Sequence, residues 1–500
     1  MPWHREPPML QTAFAWLLIA LLVPSAYPLA RRLLAYSPVN DGPILTWMLA
    51  LALGPGILTL IMLWLGLLAV AFDVAIIVVA YVAVLGIGYW VLGISYQLSV
   101  ISHSGPELEV ENQELRTPSS SFIAVYLLLA AIAIAVLFNA AWWPFSRDDA
   151  VGVYHPQAQL MSRTGALLPI SETSLHDAYP MLIPLSYTFS YMASGWDNEY
   201  LARIIPALLA LGCIPTAWLL ARRMAGEQAG AVAAFILAIT PVFGSWASHG
   251  YTDLPVGFYY ALSAVFAMRL WQSGAMVDAL LASVCMGMAA WTKNSALIGV
   301  GALGVWLLWA RANRRINWQY MSGCVAVIGT IASPWYVRNL LAAGFLLPDT
   351  AWVDQAQPTL VNLLIYVTLP DNYGISGVLL LTGIAWGLWR AFRQPRTAVV
   401  EVVTVVWFVP FFGAWWLLAS YDPRFLVSVL PITAALGGGV AMAAWRGMAA
   451  NIRRRLRIVL LVIAIGLTAI TVWRVVEFKA ELLRNPLMSD AEKQAVVTER

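Results

Sequence analysis

The run AVAAFILAI, residues 231–239, contains no side chain that prefers water. As a strand in a membrane barrel it would turn alternate apolar groups into a polar lumen, whereas as a helix it can face lipid or other helices all round. Runs of this kind recur from residue 12 to residue 474 of a 500-residue chain that is 61% hydrophobic and 11% charged. Ordinary soluble domains carry roughly 25% charged residues. About 20 apolar residues cross the hydrocarbon core as a helix, and this chain offers about 14 such segments. They lie near 12–30, 45–70, 74–98, 122–141, 201–220, 228–246, 254–272, 276–291, 295–310, 318–336, 374–390, 398–419, 425–444 and 458–473. The expected fold is an all-α polytopic membrane protein.

A formal net charge of +3 gives no reason to expect nucleic acid as a partner. Cys213, Cys285 and Cys324 each sit inside an apolar run, far apart in sequence, and read as packing residues rather than a disulfide framework or ligand set. The opening MPWHREPPML has one basic residue before its apolar stretch and no small-residue cleavage pattern follows it, so the first apolar stretch reads as a retained span.

Lys and Arg near span ends remain on the cytoplasmic side of a membrane. The basic clusters are Arg31 and Arg32, Arg222 and Arg223, RANRR at 311–315, RAFRQPR at 390–396 and RRRLR at 453–457. Threading the spans in order puts all five on one face. The polar stretch 99–121 falls on that same face despite four Glu, which have little vote in the rule. Segment 142–200, the turn SHGYTD, WTKN, segment 337–373, SYDPR and the tail after 474 then face outside. The expected location is the plasma (inner) membrane, with any chemistry on the outer side.

The chain divides by this reading into a three-span unit (1–98), a polar cytoplasmic linker (99–121), a membrane domain (122–474) whose first outer loop is 142–200, and a short tail (475–500) without a motif. The large loop is expected to hold short amphipathic helices at the interface. Its Trp142, Trp143, Tyr154, Tyr179, Tyr187 and Tyr191 suit the headgroup zone.

Within WWPFSRDDAVGVYHPQAQ, residues 142–159, two carboxylates follow directly on an apolar segment. Such groups need water, a cation or a partner. Neighbouring helical residues diverge by about 100°, so Asp148 and Asp149 do not both address one atom. One is free for chemistry while the other holds a cation or an amide, unless the pair only makes a polar start to the loop.

The ordered set RDDAVGVYHPQAQLMSRTGAL, HDAYPMLIPL, SHGYTDLPVGFYYALS, WTKNSAL, SPWYVRNLLAAGFLLPDTAW and YDPRFLVSVLPITAAL resembles the family 39-like membrane glycosyltransferases of the GT-C superfamily, over roughly residues 122–445. That family includes protein O-mannosyltransferases and lipid A aminoarabinose transferases. The resemblance implies a GT-C-type helix bundle and transfer of a sugar, with inversion, from a polyprenyl-phosphate donor to an acceptor outside the membrane, whether lipid, glycan or protein. It also implies an Asp base in the first outer loop, the first of an acidic pair, which Asp148 matches best with Asp149 in place of the more usual Glu. Members that place a single Asp nearer a Tyr-His pair, like Tyr154-His155 here, leave the assignment between Asp148 and Asp149 open, and the turn that TDLP matches supplies Asp253.

A carboxylate can take the proton from an attacking hydroxyl, and cations can hold the departing phosphate. Lys293, Arg338 and Arg424 stand at outer span ends for that second task. Each also has a plainer reading: Lys293 snorkels to headgroups, Arg338 and Arg424 bind lipid phosphates or loop carbonyls, and Asp253 caps a helix. Tyr154 and His155 are candidate substrate-binding residues, and Tyr179 a platform for a sugar ring. No metal site is assigned; two Asp and a His leave a divalent cation open, and no other cofactor is implied. A lipid flippase, or an assembly scaffold that has lost activity, would share the architecture. Neither sugar nor acceptor is legible.

Overall fold

The computed structural model describes residues 9–102, 120–170, 175–347 and 353–499; the four Glu of the 99–121 stretch lie outside them. Every regular element among the described residues is helical, as hydrocarbon demands of a chain that must satisfy its own backbone. Twelve helices, from Met9–Leu34 to Ala450–Val475, are long and apolar enough to cross a membrane. The two remaining expected spans are also helices but shorter: Glu227–Ile239 has 13 residues and Met276–Thr292 has 17. Pro241 stops the first of these. The residue before a proline is pushed out of the helical region, and Thr240 is extended (ψ 122°) before the chain restarts as Pro241–Trp246.

Burial sorts the helices into a centre and a rim. The most apolar stretch of Asp253–Ser273 is 94% buried, against 17% for the Val74–Ile94 and Ala450–Val475 spans, whose side chains are left for lipid. Around the central helix pack Ile204–Ala225, Met276–Thr292 and the segment Pro423–Val429 that leads into Leu430–Gly447. The Leu430–Gly447 helix approaches its neighbours closely: a Cβ on Gly438 would stand 2.6 Å from the Ala229 carbonyl oxygen, so only glycine fits there.

The first three helices pack on one another and also on the rest. Tyr259 donates a hydrogen bond to the Ala52 carbonyl (3.0 Å) and Trp291 donates to Thr59 (3.2 Å). At one end of the bundle Asp41, just before the Gly42–Leu67 helix, pairs with both Arg223 and Arg269. Arg269 also pairs with Asp278 at 2.8 Å, and Ser37 and Ser273 each donate to Asp278 at 2.6 Å. This buried knot joins four helices at the end where the Arg222–Arg223 cluster lies. Asp253 begins the helix that Ser273 ends, so the knot and Asp253 are separated by the thickness of the bundle, about 30 Å at 1.5 Å per residue.

The 142–200 loop differs from expectation in one respect. It does contain short helices, His155–Thr164, Leu182–Ser194 and Glu199–Ala202, but Leu182–Ser194 is buried along nearly its whole length, packed against Met9–Leu34 and Gly42–Leu67. Trp143, Tyr154, Tyr187 and Tyr191 are therefore inside the protein, not at the headgroups. Their polar atoms explain why burial is tolerated for the tyrosines: Tyr187 donates to the Gly250 carbonyl, Tyr191 pairs with His155, and Tyr154 with Thr252.

Candidate active site

Gly250 sets up the site. Its φ of +81° belongs to the left-handed region, and a Cβ there would lie 2.9 Å from the Phe145 ring as well as against the Tyr187 hydroxyl. Glycine thus allows a tight turn that delivers Tyr251, Thr252 and Asp253 to the start of the central helix. Asp253 is 1% exposed. Its Oδ1 receives Lys293 Nζ at 2.5 Å, while Oδ2 makes no hydrogen bond and has Arg424 Nε at 3.9 Å. Lys293 is carried at the end of Met276–Thr292 on extended backbone (φ −157°, ψ 141°), its ammonium 4.5 Å from the centre of the Phe425 ring.

Arg424 is the hub. Asp422, fixed before Pro423, accepts the Arg424 amide at 2.8 Å and has the guanidinium Nε at 3.4 Å. Arg424 Nη1 lies 3.1 Å from Asp149 Oδ2. Trp246, Tyr251 and Phe425 place their rings 5.0–5.1 Å from the guanidinium carbon, which favours the cation through the negative faces of the rings. One guanidinium therefore sits among three carboxylates from three separate loops. Burial pushes the Asp422 carboxyl above its ordinary value, against the opposing pull of Arg424. Burial and then Asp149 push the Tyr251 phenol up to about 12, and the same two causes raise Tyr179. These phenols stay neutral and act as hydrogen-bonding groups.

Asp148 and Asp149 take different sides, as adjacent helical residues must. Asp149 faces Arg424, and its amide donates to Tyr251 Oη at 2.9 Å. Asp148 is exposed, and its carboxylate makes no hydrogen bond or ion pair among the described residues. A π-helical turn, Ala150–Tyr154, follows at once, with the His155 amide reaching back to the Ala150 carbonyl. The extra residue in that turn puts Tyr154 beneath the site, its hydroxyl 3.2 Å from Thr252 and its ionisation suppressed by burial and then by Asp149 and Asp253.

The structure thus brings together Asp149, Asp253, Lys293 and Arg424, with Tyr154 and Tyr179 beside them. It leaves Asp148, His155 and Arg338 elsewhere. His155 points to Tyr191 (Nδ1 to Oη 2.6 Å) on the side of Asp197 and Glu199, and burial lowers its pKa. Arg338 donates to the Leu168 carbonyl and lies over Trp335 at 4.5 Å. Trp335 and Asn339 both donate to the Ala178 carbonyl, at 3.0 and 2.9 Å, so this helix anchors the segment before Tyr179. Asp422, Tyr251 and Trp246 were not singled out as site residues in the sequence. Asp422 had a signal in the SYDPR segment, since Asp before Pro is a helix-start pattern; the two aromatics were hidden among many others. Among the described residues no group of three His, Cys, Asp or Glu side chains is placed to hold a metal ion. The positive charges among the carboxylates are those of Arg424 and Lys293.

Residues 179–337 match the family model described as dolichyl-phosphate-mannose-protein mannosyltransferase, a range that includes Tyr179, Asp253 and Lys293 but not Asp149 or Arg424. No curated protein matches the chain in sequence. Among solved structures, ArnT from Cupriavidus metallidurans bound to undecaprenyl phosphate is similar with a TM-score of 0.52 and 21% identity, over 75% of this chain and 72% of that one. The same ArnT in the apo state gives a TM-score of 0.50 and 20% identity over 76% and 69%. The Archaeoglobus fulgidus oligosaccharyltransferase in complex with Zn and sulfate reaches only 0.49 at 13% identity, over 71% and 53%, too low to carry an argument. The matched mannosyltransferase segment and the ArnT-like fold together show that this chain resembles the GT-C membrane glycosyltransferases, in an all-helical bundle of the ArnT type.

Proposed function

We propose that the chain is a glycosyltransferase that moves a sugar from a polyprenyl-phosphate-linked donor to an acceptor hydroxyl. The observation that carries this reading is the joining of Asp149, Arg424, Asp253 and Lys293 at one end of the bundle, opposite the Arg-rich end. With the basic clusters on the cytoplasmic side, the site faces outside the plasma (inner) membrane.

Asp149 is the base by its position. Its carboxylate is about one-third exposed, at 37%, so an incoming hydroxyl can reach it, and its present partner is a single guanidinium. Proton transfer from the acceptor oxygen to Asp149 accompanies attack on the anomeric carbon, with inversion. The bond from that carbon to the phosphate oxygen breaks, and its electron pair leaves with the lipid phosphate. Lys293 and Arg424, each already held by a carboxylate, exchange part of that pairing for phosphate oxygens as the charge develops. Asp253 orients Lys293 for this and is too buried to meet an acceptor. The isoprenoid has a route nearby: Leu363, Val367, Leu380, Phe408 and Leu426 line an apolar opening that ends at Tyr373, whose hydroxyl donates to the Pro423 carbonyl at 3.2 Å. ArnT bound to undecaprenyl phosphate shares the fold, which supports a lipid phosphate as the donor's carrier.

The test is incubation of purified protein with a panel of radiolabelled polyprenyl-phosphate sugars and membrane extract, with and without a chelator. Donor-dependent label in an acceptor, lost in D149N, supports the reading. Transbilayer movement of intact donor without bond cleavage would replace it with a flippase, and donor binding without turnover with a scaffold. Loss of transfer in the chelator would bring a divalent cation into the mechanism.

A further inference from the structure

The tail after the last span, without a motif in sequence, supplies a largely buried carboxylate to the outer end of the bundle. Glu477 follows the Ala450–Val475 helix, and its carboxylate is 11% exposed. Ser146 donates to its Oε1 at 2.7 Å and Asn139 to its Oε2 at 3.3 Å, while the Glu477 amide donates back to Asn139 at 2.8 Å. His249 Nε2 lies 2.8 Å from Oε1 and Arg203 Nη2 3.4 Å from Oε2. Phe478 takes a left-handed backbone (φ +43°), uncommon for a bulky residue, and rests its ring 4.9 Å from that of Trp143.

The partners of this carboxylate belong to two loops. Ser146 stands three residues before Asp149, and His249 stands four before Asp253. Arg203 doubles the bridge: it donates to the Trp143 and Pro144 carbonyls (2.6 and 2.5 Å) on the first loop and to the Ser248 carbonyl (2.8 Å) on the second. Asn139 joins the same two sides by donating to Ser248 at 2.8 Å. Nothing in the proposed chemistry uses Glu477, yet its carboxylate gathers Ser146, Asn139, His249 and Arg203, and so is one of the points at which the two carboxylate-bearing loops are tied.

We infer that Glu477 is a positioning residue that sets the separation of Asp149 and Asp253 by clamping the 143–146 and 248–249 segments together. The inference rests on the transferase reading for its consequence in turnover, but not for the clamp itself. A base displaced by about 1 Å costs up to a hundredfold in rate while leaving the donor's contacts with Lys293 and Arg424 in place.

The test compares E477A and E477Q with the wild type in the full-length protein, with K493A as a control from the same tail; Lys493 covers the Trp142 and Tyr200 rings and pairs with Asp490 at 3.7 Å, touching neither carboxylate-bearing loop segment of the clamp. E477A is expected to lower kcat about tenfold to a hundredfold with the donor KM within twofold. E477Q, which still accepts from Ser146 and Asn139, should recover part of that loss, and K493A should match the wild type. Hydrogen exchange of folded protein reads the clamp without catalysis: amides of 145–151 and 248–253 should exchange faster together in E477A. Unchanged exchange, or acceleration of one loop alone, overturns the inference even if the protein transfers no sugar. A rise in donor KM at constant kcat, or equal losses in K493A and E477A, also overturns it.

Discussion

Asp149 Oδ2 and Arg424 Nη1 lie 3.1 Å apart, one from the loop after the fourth helix and the other from the turn that opens the Pro423–Gly447 span. Only one of two adjacent aspartates makes this contact. D149N should therefore lower kcat by about 10²–10⁴-fold, the range for loss of a general base, whereas D148N, whose carboxylate makes no hydrogen bond or ion pair among the described residues, should stay within about threefold of wild type. Initial rates at saturating donor separate the two; equal losses would show that the exposed neighbour acts in catalysis.

Lys293 and Asp253 form a pair that is buried on one side, at 25% and 1% exposure. Removing the acid leaves a cation without its partner, at a cost below the roughly 3–5 kcal/mol of a fully buried pair because the ammonium still reaches solvent. D253A is expected to lose about 1–3 kcal/mol and most activity. K293M should fold but bind a polyprenyl phosphate more weakly. Thermal unfolding in detergent and equilibrium donor binding measure the two effects.

At the opposite end, R269A uncovers Asp278, which is fully buried and paired to it at 2.8 Å. The expected loss is about 3–5 kcal/mol in unfolding free energy. The folded fraction should transfer sugar at the wild-type rate, since the substitution lies about 24 Å from Asp253 along one helix. A fall in kcat per folded molecule would contradict the independence of the two ends.

Acid should loosen the Glu477 clamp. Burial alone would raise the Glu477 carboxyl, but His249, Arg203 and the Ser146 hydrogen bond outweigh it and hold it below the carboxylate range. Burial lowers the His249 pKa, with Arg203 and Arg147 adding to that and Glu477 opposing it. For both groups the unfolded chain binds protons more readily than the folded one, so stability rises with pH. The histidine contribution is present above about pH 6.5 and fades below it; the glutamate contribution follows below about pH 4.5. A melting temperature that falls from pH 7 toward pH 3, with the part of the fall below about pH 4.5 shallower in E477Q, is the expected result.

The helices were legible because membrane insertion imposes a single strong signal, a long apolar run. The two short ones show its limit: Pro241 cuts Glu227–Ile239, and Met276–Thr292 is fitted between Gly274 and Lys293. Asp253, Lys293 and Arg424 were legible because charge is rare in this chain and each stands at a span end. Asp148 and Asp149 were indistinguishable by spacing, since the side each one faces depends on where the helix starts and on the π turn after it. His155 and Arg338 lay in the right segments, but their partners, Tyr191 and the Leu168 carbonyl, come from packing that no local pattern encodes. The tyrosines of the 142–200 loop were misplaced at the interface for the same reason: amphipathic rings serve equally well in a buried hydrogen-bonded wall. Glu477 had no signal, because a single acid in a tail looks like any solvated residue.

Arg269 divides its neutralisation between Asp278, on the neighbouring helix, and Asp41, contributed from the loop between the first two helices. A chain begun at residue 99 would keep the former and forfeit the latter, leaving Arg223 and Arg269 side by side with one counter-ion too few. Segment 1–98, although separate by sequence, thus neutralises charge in the remainder, and a cut at the boundary drawn by hydropathy is expected to uncover it.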